Sequence, residues 1–154
     1  MMKPLAPEHR APLIELIRAT PEFSREEADV AIELLDACLE GDRDYVIWVD
    51  ADEGVRGYIC YGPTPMTEGT YDLYWIAVAP SFQGHGVGRA LIAHMESELT
   101  REGARLVRVE TEGGPAYEST RAFYEAIGYE CTATIRAFYA AGRDLVIYTR
   151  YLTP

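Results

Sequence analysis

Along the chain the apolar positions switch between a spacing of two and a spacing of three to four, and the switches fall at prolines and glycines. Leu73 to Val78 is an apolar, aromatic and β-branched run that predicts a buried strand, stopped by Pro80. After the glycine-spaced turn Gln83-Gly84-His85-Gly86-Val87-Gly88-Arg89, the positions Val87, Leu91, Met95 and Leu99 recur four apart, as on one helix face. Strand, glycine loop and helix form the unit around which the other elements are placed.

Upstream, Met2 to Leu5 predicts a short first strand, and Pro7 opens a helix with Leu13, Ile14 and Ile17 on one side. Ser24-Arg25-Glu26-Glu27 is a capping box for a second helix, which carries Val30, Ala31, Leu34, Leu35 and Cys38 and ends at Gly41. Phe23, between these helices, is read as core or rim packing. Tyr45 to Val49 and Gly57 to Tyr61 predict an antiparallel hairpin; the Gly- and Pro-rich segment Gly62 to Gly69 predicts a loop. Downstream, Arg105 to Thr111 predicts a strand parallel to the Leu73 strand, because a helix joins the two through a right-handed crossover. A helix over Tyr117 to Tyr129 and two strands, Glu130 to Phe138 and Asp144 to Leu152, complete a mixed α/β order without repeats or linkers.

Composition narrows the function. A chain of 154 residues, 48% apolar, suits one domain over 1–154 with its own core. A net charge of −11 argues against nucleic acid and anionic membranes and slightly favours a cationic partner. Cys38, Cys60 and Cys131 are odd in number and far apart, which points to buried thiols of a reduced, cytoplasmic protein rather than disulfides. No signal-peptide pattern or membrane-length apolar run is present, and His9, His85 and His94 make no metal-binding spacing, so no metal is expected.

The glycine loop carries the candidate chemistry. Glycines let a backbone approach a ligand closely, and the first N–H groups of a helix have no partner within it, which suits phosphate. A nucleotide P-loop needs GxxxxGK[ST], but Val87-Gly88-Arg89-Ala90 lacks both the Lys and the hydroxyl. A dinucleotide loop needs GxGxxG, but the third glycine arrives one residue early, with Arg89 in its place. The pattern that fits is Q-x-x-G-x-G, formed by Gln83, Gly86 and Gly88 after an apolar strand.

That pattern resembles the acetyl-coenzyme A signature of the GNAT acetyltransferase family. A second family signature is matched about 35 residues later by Phe123-Tyr124-Glu125-Ala126-Ile127-Gly128-Tyr129. The resemblance implies a three-layer fold: a central, mostly antiparallel sheet of six to seven strands with one parallel pair, and about four helices. It also implies transfer of an acetyl group from acetyl-coenzyme A directly to an amine of a small molecule or peptide. A non-catalytic acyl-coenzyme A binding module is the alternative. Edge strands near the C-terminal end allow a homodimer.

Residue roles follow from the resemblance. The N–H of Ile76 would hold the oxyanion, Val78 would pair with the pantetheine arm, and Gly84, His85, Gly86, Val87, Gly88 and Arg89 would hold the pyrophosphate, with Gln83 ordering the loop. Tyr124 would protonate the departing sulfur. Tyr117 and Thr120 depart from the family pattern, which often has Asn and Ala there, so the lost coenzyme contact would pass to Ser119, to Thr120 or to no residue. An amine with a pKa of about 10.4 needs a base. Asp72 occupies the family's carboxylate position, yet also reads as an Asp that bonds the preceding turn; Glu110 is the competing base or amine anchor. Tyr74, Glu110 and Tyr139 are candidate acceptor contacts, the two tyrosines belonging to an aromatic group with Tyr58, Tyr61 and Tyr71 that suits a small cationic amine or an exposed peptide amine.

Overall fold

The computed structural model describes residues 1–152; the last two positions of the expected 1–154 domain lie outside the described residues. Seven strands make one sheet: β1 (Met2–Pro4), β2 (Val46–Ala51), β3 (Val55–Pro63), β4 (Thr70–Val78), β5 (Leu106–Glu112), β6 (Glu130–Ala140) and β7 (Arg143–Tyr151). Their order is β1-β2-β3-β4-β5-β7-β6, and every neighbouring pair is antiparallel except β4 and β5. Four helices flank it: α1 (Arg10–Ala19), α2 (Arg25–Leu39), α3 (Val87–Arg101) and α4 (Glu118–Ala126). The expected mixed fold with one parallel pair is therefore present. Three single 3-10 turns, at Pro7–His9, Pro80–Phe82 and Pro115–Tyr117, add to the expected helices and loops; each begins with a proline whose fixed φ suits a first helical position.

Alternation along the central strands divides the core in two. Tyr58 and Cys60 of β3 face Leu13, Ile17 and Leu35 of α1 and α2, whereas Ile59 and Tyr61 face Leu91, Met95 and Leu99 of α3. The capping box forms as expected, the Glu27 N–H donating to Ser24 Oγ at 3.1 Å. Of the three thiols, Cys60 is buried and Cys38 half-buried, but Cys131 is exposed, because β6 is an edge strand whose residues all face solvent. Among the described residues no helix is long and apolar enough to cross a membrane.

Two irregularities on β4 create the space for a site. Cys60 pairs with Trp75 and Tyr61 with Leu73, so Tyr74 is an extra residue bulged out of the β3–β4 ladder. The bulge shifts the alternation: Tyr71 and Leu73 face the α3 side before it, Ile76 and Val78 after it. In addition, β4 and β5 pair only from Thr70↔Leu106 to Leu73↔Val109 and then part. Beyond that point Trp75 to Val78 stay paired to β3 but have lost their neighbour on the β5 side.

Candidate active site

The opening between the separated ends of β4 and β5 holds a cleft of about 480 Å³, lined by Ile76, Val78, Gln83, Gly84, Gly88 and Tyr124 among others. A second cavity of about 840 Å³ adjoins it, lined by Asp72, Arg108, Glu112, Tyr139 and Arg143. Glu27, Tyr74, Trp75, Glu110, Thr111 and Tyr117 line both. The bulged Tyr74 and the β5 residue Glu110 thus stand where the two spaces meet.

The first cleft is built from backbone. A strand edge without its neighbour presents N–H and C=O groups to any extended ligand laid beside it. At the end of that edge, the loop turns through Gly84 (φ 78°) and Gly86 (φ 82°), left-handed conformations that a side chain resists. Gly86 caps α3, and its carbonyl accepts first from the Ala90 N–H, so the N–H groups of Val87, Gly88 and Arg89 have no acceptor within the helix. The Val87 side chain is buried in the core, and His85 and Arg89 are exposed outside the cleft lining. None of these three side chains borders the cleft. Gln83 Nε2 donates to the Val78 carbonyl at 3.4 Å, tying the loop to the strand end. Ser119 and Thr120 of α4 also line the cleft.

Tyr124 on α4 forms the opposite wall. Its ring stacks on Tyr148 at 6.0 Å and meets Tyr129 at 5.6 Å, which fixes it in place. It is 3% exposed, and among the described residues its hydroxyl makes no hydrogen bond. Burial pushes the phenol well above its ordinary range, so the group keeps its proton throughout the working pH range.

The second cavity is charged and aromatic. In the parallel register Asp72 lies opposite Arg108, whose Nε donates to Asp72 Oδ1 at 2.7 Å; Thr64 Oγ1 donates to Oδ2 at 2.8 Å. Asp72 is 8% exposed, and both its oxygens are engaged, the second by the loop that precedes its own strand. Further along β5, Arg143 from β7 binds Glu112 through two contacts, 2.5 and 3.1 Å, and its guanidinium lies 5.9 Å from the centre of the Tyr139 ring. Between these pairs sits Glu110, exposed and free of side-chain hydrogen bonds among the described residues. Tyr117 spans the top, its hydroxyl donating to the Glu22 carbonyl at 3.1 Å across the α1–α2 connection.

Most of the sequence-expected site residues lie around these two spaces, but His85, Gly86, Val87 and Arg89 line neither, and Tyr58, Tyr61 and Tyr71 of the tyrosine group pack in or against the core instead. Glu110 and Tyr74 stand at the junction, Tyr124 and Thr120 in the cleft, and Asp72 and Tyr139 in the second cavity alone. Sequence reasoning missed Arg108, Glu112 and Arg143. A signal existed, since Arg108, Glu110 and Glu112 alternate on β5 and must share a face.

The model of the acetyltransferase (GNAT) family matches residues 10–129. The chain belongs to that family. It is 42% identical to a GNAT-family protein of known structure from Desulfovibrio desulfuricans, with a TM-score of 0.95 and 99% of each chain covered. It is also 39% identical, over 47% of each chain, to the ribosomal protein bS18-alanine N-acetyltransferase of Escherichia coli. Aminoglycoside 6'-N-acetyltransferase, solved with coenzyme A, shares the fold at 16% identity and a TM-score of 0.81, covering 100% of this chain and 98% of that one. The matches span only 25% to 54% of the length of the curated relatives. Among the described residues no group of His, Cys, Asp and Glu is placed to hold a metal ion.

Proposed function

We propose that this protein transfers an acetyl group from acetyl-coenzyme A directly to a primary amine, with Glu110 as the base and Tyr124 as the acid. The observation that carries the reading is the junction. An unengaged carboxylate stands where a backbone-lined cleft opens into a charged cavity, with a buried, protonated phenol in the cleft wall. The cleft fits an extended thiol cofactor: a free strand edge for the amide-bearing arm and the first N–H groups of α3 for the pyrophosphate. When bound, acetyl-coenzyme A supplies an acyl group on a good leaving thiol.

The chain's own groups do the rest. Glu110 accepts a proton from the amine, directly or through one water, as nitrogen bonds to the acyl carbon. The N–H of Ile76 holds the oxygen that becomes negative. Tyr124 gives its proton to sulfur as the carbon–sulfur bond breaks, so an amide and a free thiol leave. Val78 and the backbone of Gly84 to Arg89 hold the cofactor, and Gln83 braces the loop. Asp72 orients Arg108 rather than taking the proton, because both of its oxygens are occupied.

Thermal shift tests the first part. At 100 times Kd, coenzyme A and acetyl-coenzyme A should each add about 2.7 kcal/mol, on the order of 5 to 10 °C, while ATP and a nicotinamide dinucleotide add nothing. No shift with either thiol cofactor ends the proposal. The pH profile of kcat/KM tests the base: Glu110→Gln should flatten the acidic limb and Asp72→Asn should leave it in place. The opposite result returns the role to Asp72.

A further inference from the structure

We infer that the acceptor is a small diamine or polyamine, one amine reacting at Glu110 while a second ammonium is held between Tyr139 and the first turn of α2 in the 840 Å³ cavity; this rests on the acetyl-transfer reading and specifies its substrate. Three features of the cavity support it.

The first is the balance of free charge. Five carboxylates face three guanidinium groups in the lining, but the guanidiniums of Arg108 and Arg143 are already matched by Asp72 and Glu112. Glu26, Glu27 and Glu110 make no ion pair among the described residues, although Arg108 acts on Glu110 and Arg143 on Glu27 at longer range, so the lining keeps an excess of two carboxylates over guanidiniums. A zwitterionic amino acid would bring a carboxylate with no unmatched partner inside the cavity. A molecule with two positive ends meets complementary charge at both.

The second is that the cavity wall already stabilises a cation. The Arg143 guanidinium lies over the Tyr139 ring and against Glu112, an aromatic face and a carboxylate together. The Tyr139 phenol is raised above its usual range by burial and then by Glu110, Glu112 and Glu27, so three carboxylates act on that one point. Tyr139 and Tyr74 are 44% and 37% exposed, leaving ring surface for a second cation.

The third is shape. The first turn of α2, bearing Glu26 and Glu27, bounds the cavity on one side, and Tyr139 and Arg143 of the β6–β7 hairpin bound it on another. The cavity is bounded on these two sides and open on others, a shape that seats a compact molecule between the helix turn and the hairpin.

The test uses the full chain and begins with the coenzyme A thermal shift; if that fails, the acetyl-transfer reading falls and this inference with it. With the shift in hand, thiol release is followed with 1,4-diaminobutane, butylamine, glycine and an alanine-headed peptide, alongside calorimetric titration of 1,4-diaminobutane into the coenzyme A complex. The diamine should exceed butylamine by about 10-fold in kcat/KM, and the advantage should shrink as salt rises. Glu27→Gln keeps a group able to close the capping box and removes only charge. It and Glu26→Gln should each raise the diamine KM about 2- to 5-fold with kcat nearly constant. Butylamine, glycine or the peptide matching the diamine overturns the inference. So does an intact coenzyme A shift with neither turnover nor binding of the diamine.

Discussion

The two ends of the β4–β5 pair differ in the one property that separates structure from function here. From Thr70 to Leu73 the strands are hydrogen-bonded, and Leu73, Val107 and Val109 are buried between them and α3. A few residues further on they have parted, and the residues that follow, Trp75 to Val78 and Glu110 to Glu112, border cavities instead of one another. One pair of strands thus supplies a rigid base and an open edge. The bulge at Tyr74 marks the change, and it turns Ile76 and Val78 onto the face where α3 and α4 stand.

By this contrast, substitutions at the closed end should cost stability and those at the open end should cost chemistry. The largest stability effect is expected for Leu73→Ala, which leaves a cavity in the closed end: about 2 to 5 kcal/mol, read from the urea midpoint. At the open end, Tyr124→Phe keeps the stacked ring and removes the hydroxyl, so kcat should fall about 100-fold with little change in KM. A rise in KM with kcat intact would instead make Tyr124 a packing residue.

Gly88 sharpens the comparison, because its two demands oppose each other. A methyl there would meet Phe123 Cζ at 3.4 Å, an ordinary contact, and Ala favours a helix over Gly by about 0.5 to 1 kcal/mol. Gly88→Ala should therefore raise Tm slightly while weakening coenzyme A binding, since the methyl enters the cleft. Loss of both would place the glycine in the structural class.

The smallest effect lies away from the site. Burial raises the carboxyl of Glu96, an effect that its neighbours Arg150 and Tyr129 only partly offset. A carboxyl raised on folding favours the folded state below its unfolded value, near 4.5, and loses that contribution as pH rises through its folded value. The stability difference between the native chain and Glu96→Gln should thus shift toward the native chain as pH falls to 4, measured by urea titration at several pH values.

Much of this was legible in the sequence because the signals are local. The Ser24 and Glu27 capping box, the glycine spacing after Pro80 and the apolar period of Val87 to Leu99 each depend on residues within a few turns of one another. The parallel pairing of β4 with β5 also followed, since a helical connection leaves little choice. Strand ends were less legible: β2 runs two residues past Val49, and β3 runs from Val55 to Pro63 instead of Gly57 to Tyr61, because pairing partners rather than composition decide where a ladder stops.

What the sequence determined by itself is the order of elements, the family and the cluster of chemistry-bearing residues from Asp72 to Tyr124. Only the tertiary structure decided which carboxylate is available. Asp72 and Glu110 are both acidic residues on adjacent strands, and the one local hint, that Asp72 can bond the turn before its strand, does not reveal its second partner, Arg108. Arg108 and Thr64 reach Asp72 through the sheet register and the β3–β4 loop, whereas Glu110 falls just past the point where the strands separate. Hydrogen bonding across strands is a property of register, and a single bulged residue resets it.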